Sequence, residues 1–195
     1  MNKRLPPLLI LASRSPRRRE ILFCLDYEFI TTPPSCDEEG PPRDGEKIED
    51  YVQRLARDKA DSVAGKYREG ILIGCDTVVV CRGEILGKPA DREDARRMLS
   101  MLRGEEHYVL SGLYLRRQPD GRRLSAVETT RLRMAPIGQR EIDAYLETGL
   151  WEGKAGAFGL QDRTGWLEIL EGSATNVVGL PAERLAEMLQ TFFIE

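Results

Sequence analysis

The chain of 195 residues holds one histidine, His107. A single imidazole cannot make a histidine-rich metal site, and it weakens any reading as a Ser/His/Asp hydrolase, whose imidazole must be oriented between nucleophile and carboxylate. His107 opens an alternating segment and reads as structural. Cysteine is sparse too: Cys24, Cys36, Cys75 and Cys81 form neither a CxxC pair nor the paired spacing of a zinc site. Cys24 and Cys81 stand among apolar neighbours, where a thiol behaves as a small hydrophobe, and the pattern suits a reduced, cytoplasmic compartment. Long hydrophobic runs are missing, since no segment approaches the roughly 20 apolar residues of a membrane span. Lys3 and Arg4 followed by apolar residues imitate a secretory leader, but the run breaks at Ser13 and arginines stand where a small-residue cleavage site belongs. The expectation is a soluble chain with no membrane partner.

An excess of positive charge is also absent. A net charge of −3 and a pI near 5.5 argue against a nucleic-acid partner, because such domains are usually basic. The local picture is the reverse. Residues 1–19 carry six basic side chains (Lys3, Arg4, Arg14, Arg17, Arg18, Arg19) and no acidic one, so a small anion can find a positive site on an acidic chain. A chain of this length buries roughly 70% of its unfolded surface, enough for one α/β domain or two small lobes around a cleft.

Read in order, "LLILA" (8–12) has strand length, and "SRSPRRREILFCL" follows with Ser15 as N-cap and Pro16 at the first helical position. The loop therefore lies at the carboxyl end of a strand and at a helix N-terminus, where backbone N–H groups meet an anion. Arginines add forked donors suited to phosphate. "YEFITT" (27–32) reads as a second strand and "PPSCDEEGPPRDGE" as a loop. Its Asp37, Glu38 and Glu39 form either a solvated turn or a carboxylate group that holds a cation opposite the basic loop. Helical spacing of Ile48, Val52, Leu55, Ala56, Ala60 and Val63 sets a helix within 46–66, with Lys59 near its apolar face, a place usually taken by an exposed residue.

"GILIGCDTVVVC" reads as an apolar β run broken at Cys75-Asp76-Thr77, with "RGE" turning it into a hairpin. An aspartate in so apolar a setting is costly unless paired or bound to metal, which points to use. Lys88, between Gly87 and Pro89, is fixed in an extended loop within reach of a phosphate or is a plain turn lysine. Asp91 caps a helix over 91–103, "QPDG" joins two alternating strands, and a further helix spans about 138–148. In "GKAGAFGLQDRTG" the glycines mark either backbone that approaches something closely or a plain glycine-rich connector. Gln161 has the donor and acceptor to read a base edge, with Phe158 beside it. "WLEIL" is a strand, "NVVGLP" a turn, and "AERLAEMLQTFF" a closing helix.

Taken together, "LASRSPRR", "DEEG", "RLARDKA", "GCDTVVV", "GKP", "SG" at 111–112, "KAGAFGLQ" and "NVVGLP" resemble, in order, the motifs of the Maf family of nucleoside triphosphate pyrophosphatases, the septum-formation-inhibitor-like proteins. The resemblance runs from about residue 8 to 190. It implies a single Maf-like domain over residues 1–195, an α/β fold with a mixed twisted sheet, flanking helices and two lobes around a deep nucleotide-binding cleft, and a homodimer. It further implies cleavage of a nucleoside triphosphate to the monophosphate and pyrophosphate with Mg²⁺ or Mn²⁺. By the same resemblance Asp76 is the general base and Glu38 its partner acid, the two holding the metal. Ser13, Arg17, Arg18, Lys59 and Lys88 contact the triphosphate, and Arg17, Thr77 and Gln161 separate substrate classes, here in favour of dTTP and UTP. Two other readings stand beside it. A purine pocket of the inosine triphosphatase type is opposed by Gln161 and Thr77, and a regulator of cell division that binds nucleotide without turnover has no need of Asp76.

Overall fold

Residues 9–11 of the first apolar run form a fully buried strand, β1 (Leu9–Leu11), in the computed structural model, which describes residues 7–36 and 40–193. Ser15 caps the next element, α1 (Pro16–Cys24), accepting from the Arg18 N–H at 3.4 Å. Then come β2 (Phe29–Thr31), α2 (Ile48–Ala64), β3 (Gly70–Cys81), β4 (Glu84–Leu86), α3 (Arg92–Leu102), β5 (Glu106–Gln118), β6 (Arg123–Met134), α4 (Gln139–Glu147), β7 (Leu167–Glu171), α5 (Ala174–Val178) and α6 (Ala182–Phe193). Among the described residues seven strands form one mixed sheet in the order β2-β1-β3-β5-β6-β7, with β4 on β3. This is the α/β class with flanking helices that the sequence implies. The chain divides into two compact units.

One unit holds the residues up to Asp76, residues 111–128 and those from Gly179 onward. Here β1 pairs in parallel with β2 and β3, Leu11 opposite Ile73. Side chains alternate between faces along a strand. Leu9, Leu11, Ile71 and Ile73 therefore pack with Leu22 of α1 and Leu185 and Leu189 of α6, while Ile10 and Leu72 pack with Ala56, Ala60 and Val63 of α2. Two glycines permit that second contact. A Cβ on Gly74 would sit 1.9 Å from the Ala56 carbonyl oxygen, and one on Gly112 would sit 2.2 Å from that of Val52.

The other unit holds residues 77–110 and 129–178. In it β4 pairs antiparallel with the end of β3, Val79 opposite Leu86, and β7 pairs antiparallel with β6. Its core joins Leu86, Met98, Leu99, Leu102, Leu132, Ile142 and Leu146. Asp91 caps α3 by accepting from the Asp94 N–H at 2.8 Å, a contact of about 1 kcal/mol.

Three expectations change. The β run does not break at Cys75-Asp76-Thr77, because β3 continues through all three. Cys24 is exposed: the inward stripe of α1 is Arg18 and Leu22, a helical spacing of four, which turns Phe23 (78% exposed) and Cys24 outward. "NVVGLP" is not all turn, since Asn176-Val177-Val178 belong to α5, where the Ser173 hydroxyl accepts from the Asn176 N–H at 3.3 Å and so begins the helix.

Gly74→Ala is expected to lower stability by about 1–3 kcal/mol through forced separation of α2 from β3, read as a fall in the urea midpoint at unchanged slope. A second outcome follows from Glu46, just before α2. Its carboxylate accepts from Arg54 at 2.7 and 2.8 Å and from the Arg43 N–H at 2.9 Å, and these bonds, Arg54 first, lower its pKa from 4.5 to about 2. A folded pKa below the unfolded one gives stability that is present above pH 4.5 and lost as pH falls toward 2. Glu46→Gln is therefore less stable than the unmodified chain at neutral pH, and in an acid unfolding series the gap closes as pH approaches 2.

Candidate functional site

The basic loop is built as its sequence suggests. After β1, Ala12 donates to the Ile73 carbonyl at 2.9 Å, keeping the chain on β3, and Ser13 turns back to the Leu11 carbonyl at 3.0 Å. The Ser13 hydroxyl accepts from the Ser15 N–H at 3.1 Å and Arg14 donates to the Pro34 carbonyl at 3.0 Å. α1 then begins with its N–H groups and dipole at the carboxyl end of parallel strands, the usual place for an anion in such sheets. Arg17 is half-buried in the first turn. Arg18 is only 9% exposed, and its Nε donates to the Gly179 carbonyl at 2.7 Å. Cys75 Sγ meets the same carbonyl at 3.4 Å. Arg18 thus anchors α1 to the turn before α6 as well as adding charge.

Asp76 follows by parity. Leu72 faces α2, so Gly74 and Asp76, two and four residues on, face it too. The side chain that meets Asp76 is Lys59, at 2.6 Å from Nζ to Oδ1. Lys59 is 4% and Asp76 8% exposed. The expectation that a lysine at this helix position points to solvent is therefore overturned. It fails because Gly74 lets Ala56 touch the strand, and Lys59, one turn further along α2, is carried onto the sheet with it. Asp76 remains within a strand because its charge is met by the ammonium. An oriented, buried carboxylate held by an ammonium can accept a proton from water.

In the other unit Thr77 is half-buried, and Lys88 and Gln161 are exposed. The Gly87 carbonyl accepts from the Gly156 N–H at 3.0 Å, fastening the Lys88 loop to the glycine-rich segment. Gly156 has φ +68° and its missing Cβ leaves room for Val79, which accounts for glycine there. Gln161 sits in a 3₁₀ turn, Leu160–Asp162. Phe158 stacks on Trp166 at 5.2 Å and meets Tyr145 at 5.1 Å. What the sequence reading missed is Asp162, which is bonded to Lys154, to Tyr145 Oη at 2.7 Å and to the Gly159 N–H at 3.0 Å. Burial, and then this carboxylate, push the Tyr145 phenol up, so it stays protonated and donates. An aspartate flanked by glycine-rich turns was the available signal. His107 is buried, and burial pushes its pKa down, as a structural histidine requires.

Residues 37–39, Glu38 among them, lie outside the described residues. No group of three or more His, Cys, Asp or Glu is gathered among those that are described. Asp76 is a hard oxygen donor with one oxygen engaged by Lys59. Such a set fits Mg²⁺, which takes one or two protein carboxylates and completes its shell with water and substrate phosphates.

The family model described as Maf-like protein matches residues 8–192. Among similar proteins, one from Anaeromyxobacter sp. (strain Fw109-5) is 47% identical over 93% of this chain and 88% of its own length. One from Rhodopirellula baltica is 42% identical over 96% of this chain and 83% of its own. One from Dictyoglomus thermophilum is 42% identical over 93% and 94%. Each of the three is named dTTP/UTP pyrophosphatase. A solved HAM1 protein from Coxiella burnetii superposes with a TM-score of 0.52 at 15% identity, covering 95% of this chain and 99% of that one, a likeness of fold alone.

Lys59→Ala strips Asp76 of its ammonium inside the protein, and about 3–5 kcal/mol of stability is expected to go with it. The double change Lys59→Met with Asp76→Asn removes both charges and recovers most of that loss. Urea unfolding of the three proteins checks it: equal losses in the single and double variants would mean the ion pair is not the cause.

Proposed function

From a chain that belongs to the Maf-like family, we propose a nucleoside triphosphate pyrophosphatase acting on dTTP and UTP. The substrate class is that named for the relatives at 42–47% identity. The observation that carries the chemistry is the buried Asp76–Lys59 pair between the middle of β3 and α2. A protein that only holds triphosphate gains nothing from an anionic side chain set near the phosphates, whereas a hydrolase needs a base. Asp76 takes the proton of the attacking water as it adds to the α-phosphorus. The bond from that phosphorus to the bridging oxygen breaks, and pyrophosphate leaves with the electron pair.

Ser13, Arg17, Arg18, Lys59 and Lys88 bind the triphosphate, and the positive charge among them stabilises the departing pyrophosphate, so that positioning and electrostatics supply most of the rate. Lys59 also orients Asp76 through the 2.6 Å bond. Asp76 and Glu38 would hold Mg²⁺ or Mn²⁺, which when bound neutralises phosphate charge. Arg17, Thr77 and Gln161 set the base preference, the Gln161 amide donating to pyrimidine O4 and accepting from N3–H. The chain works as one catalytic domain and as a homodimer, for which the exposed Phe23, Leu25 and Ile30 around α1 and the β2 edge offer an apolar surface. The cytoplasm is its compartment, in keeping with four free cysteines. No described helix is long and apolar enough to cross a membrane.

Purified protein with Mg²⁺ or Mn²⁺ is expected to release pyrophosphate from dTTP and UTP in preference to CTP, GTP, ITP and 7-methyl-GTP. Asp76→Asn lowers kcat by about 10²–10⁴-fold while still binding dTTP. Binding of dTTP by the unmodified chain without any cleavage would instead make it a nucleotide-sensing regulator.

A further inference from the structure

The cluster around Asp162 is more elaborate than packing requires. Lys154, Asp162 and Tyr145 are all buried side chains, with Asp162 only 3% exposed. Both carboxylate oxygens are engaged: Oδ1 by Lys154, Oδ2 by the Tyr145 hydroxyl at 2.7 Å and by the Gly159 N–H at 3.0 Å. The Asp162 N–H in turn donates to the Gly159 carbonyl at 3.1 Å. Around it, Tyr145, Phe158 and Trp166 meet ring to ring at 5.1–5.4 Å. Apolar side chains of similar volume would hold the segment as firmly without the desolvation of two charges. What a charged, multiply bonded carboxylate adds is a fixed direction.

The residue that needs a direction is Gln161. A Cβ at Gly159 would come within 2.5 Å of its Nε2 and 2.6 Å of its Oε1, so the amide lies across the backbone that Asp162 clamps. Thymine and uracil present an acceptor at O4 and a donor at N3–H; cytosine presents a donor at N4 and an acceptor at N3. A half-turn of a glutamine amide exchanges its own donor and acceptor. An unrestrained glutamine therefore reads both patterns, and only a fixed one discriminates. We propose that Tyr145, Lys154 and Asp162 are positioning residues that fix the Gln161 turn and thereby set the preference for thymine and uracil over cytosine. The inference rests on the reading of Gln161 as the base contact.

Tyr145→Phe removes one hydroxyl and keeps the ring in its aromatic cluster. The ratio of kcat/KM for dTTP over dCTP is expected to fall about 3–10-fold, the worth of one such hydrogen bond, through a higher KM for dTTP more than through kcat. In the Gln161→Ala background the same change should leave the ratio as it finds it, because the effect passes through Gln161. Asp162→Asn is the second variant, and thermal unfolding midpoints are taken for all. A lowered midpoint with an unchanged ratio overturns the proposal in favour of a purely structural cluster, as does an equal fall in both backgrounds. Equilibrium binding of dTTP and dCTP without divalent cation gives the same ratio independently of turnover. Absence of pyrophosphate release from the unmodified chain then defeats the pyrophosphatase reading alone. Binding by that chain with no preference between the two bases defeats this one.

Discussion

The ion pair between Lys59 and Asp76 is the interaction on which the rest of the site depends. Two opposite charges 2.6 Å apart and nearly shielded from water are tolerated only because they meet, and they meet only because α2 lies unusually close to β3. That closeness comes from an absent side chain at Gly74. A backbone choice in the strand thus decides whether a helix lysine reaches a strand carboxylate. The geometry of this pair is a by-product of helix-on-sheet packing, so it inherits the rigidity of the core rather than that of a loop.

The basic loop of the same unit is made by different means. Ser15 and Pro16 start α1 where β1 ends, and Arg18 ties that start to the Gly179 carbonyl across a long stretch of chain. Cys75, next to Asp76, touches the same carbonyl. Groups that would grip phosphate and the group that would activate water are therefore referred to one common backbone position, which limits how far one can drift from the other.

Much of this was legible beforehand, and the failures have physical causes. Strand, cap and helix over 8–24 are local signals: an apolar run, Ser15 before Pro16, then arginines. The cap at Asp91 and the hairpin at "QPDG" are equally local, and they appear in α3 and between β5 and β6. Asp76 was marked by its cost in an apolar run. The burial of Lys59 was not visible because it depends on a glycine in another element, and single-segment periodicity cannot see that. The break expected at Asp76 failed for the same reason, since the partner that lets the strand continue lies on α2. Cys24 followed from neighbours in sequence rather than from the helical stripe through Arg18 and Leu22. The Asp162 cluster was missed because its members, Tyr145, Lys154 and Asp162, come together only once α4 and the glycine-rich segment have folded.

The bond from the Gly156 N–H to the Gly87 carbonyl has a consequence for anyone re-engineering this chain. It joins the loop of Lys88 to the segment of Gln161, so the side chain proposed for charge and the one proposed for base choice hang from a shared backbone strut. Libraries that vary residues 156–162 to broaden the range of nucleotides accepted will also disturb the footing of Lys88. Affinity for the common triphosphate and discrimination among bases are then linked traits, and campaigns that select on one should be expected to drag the other along with it.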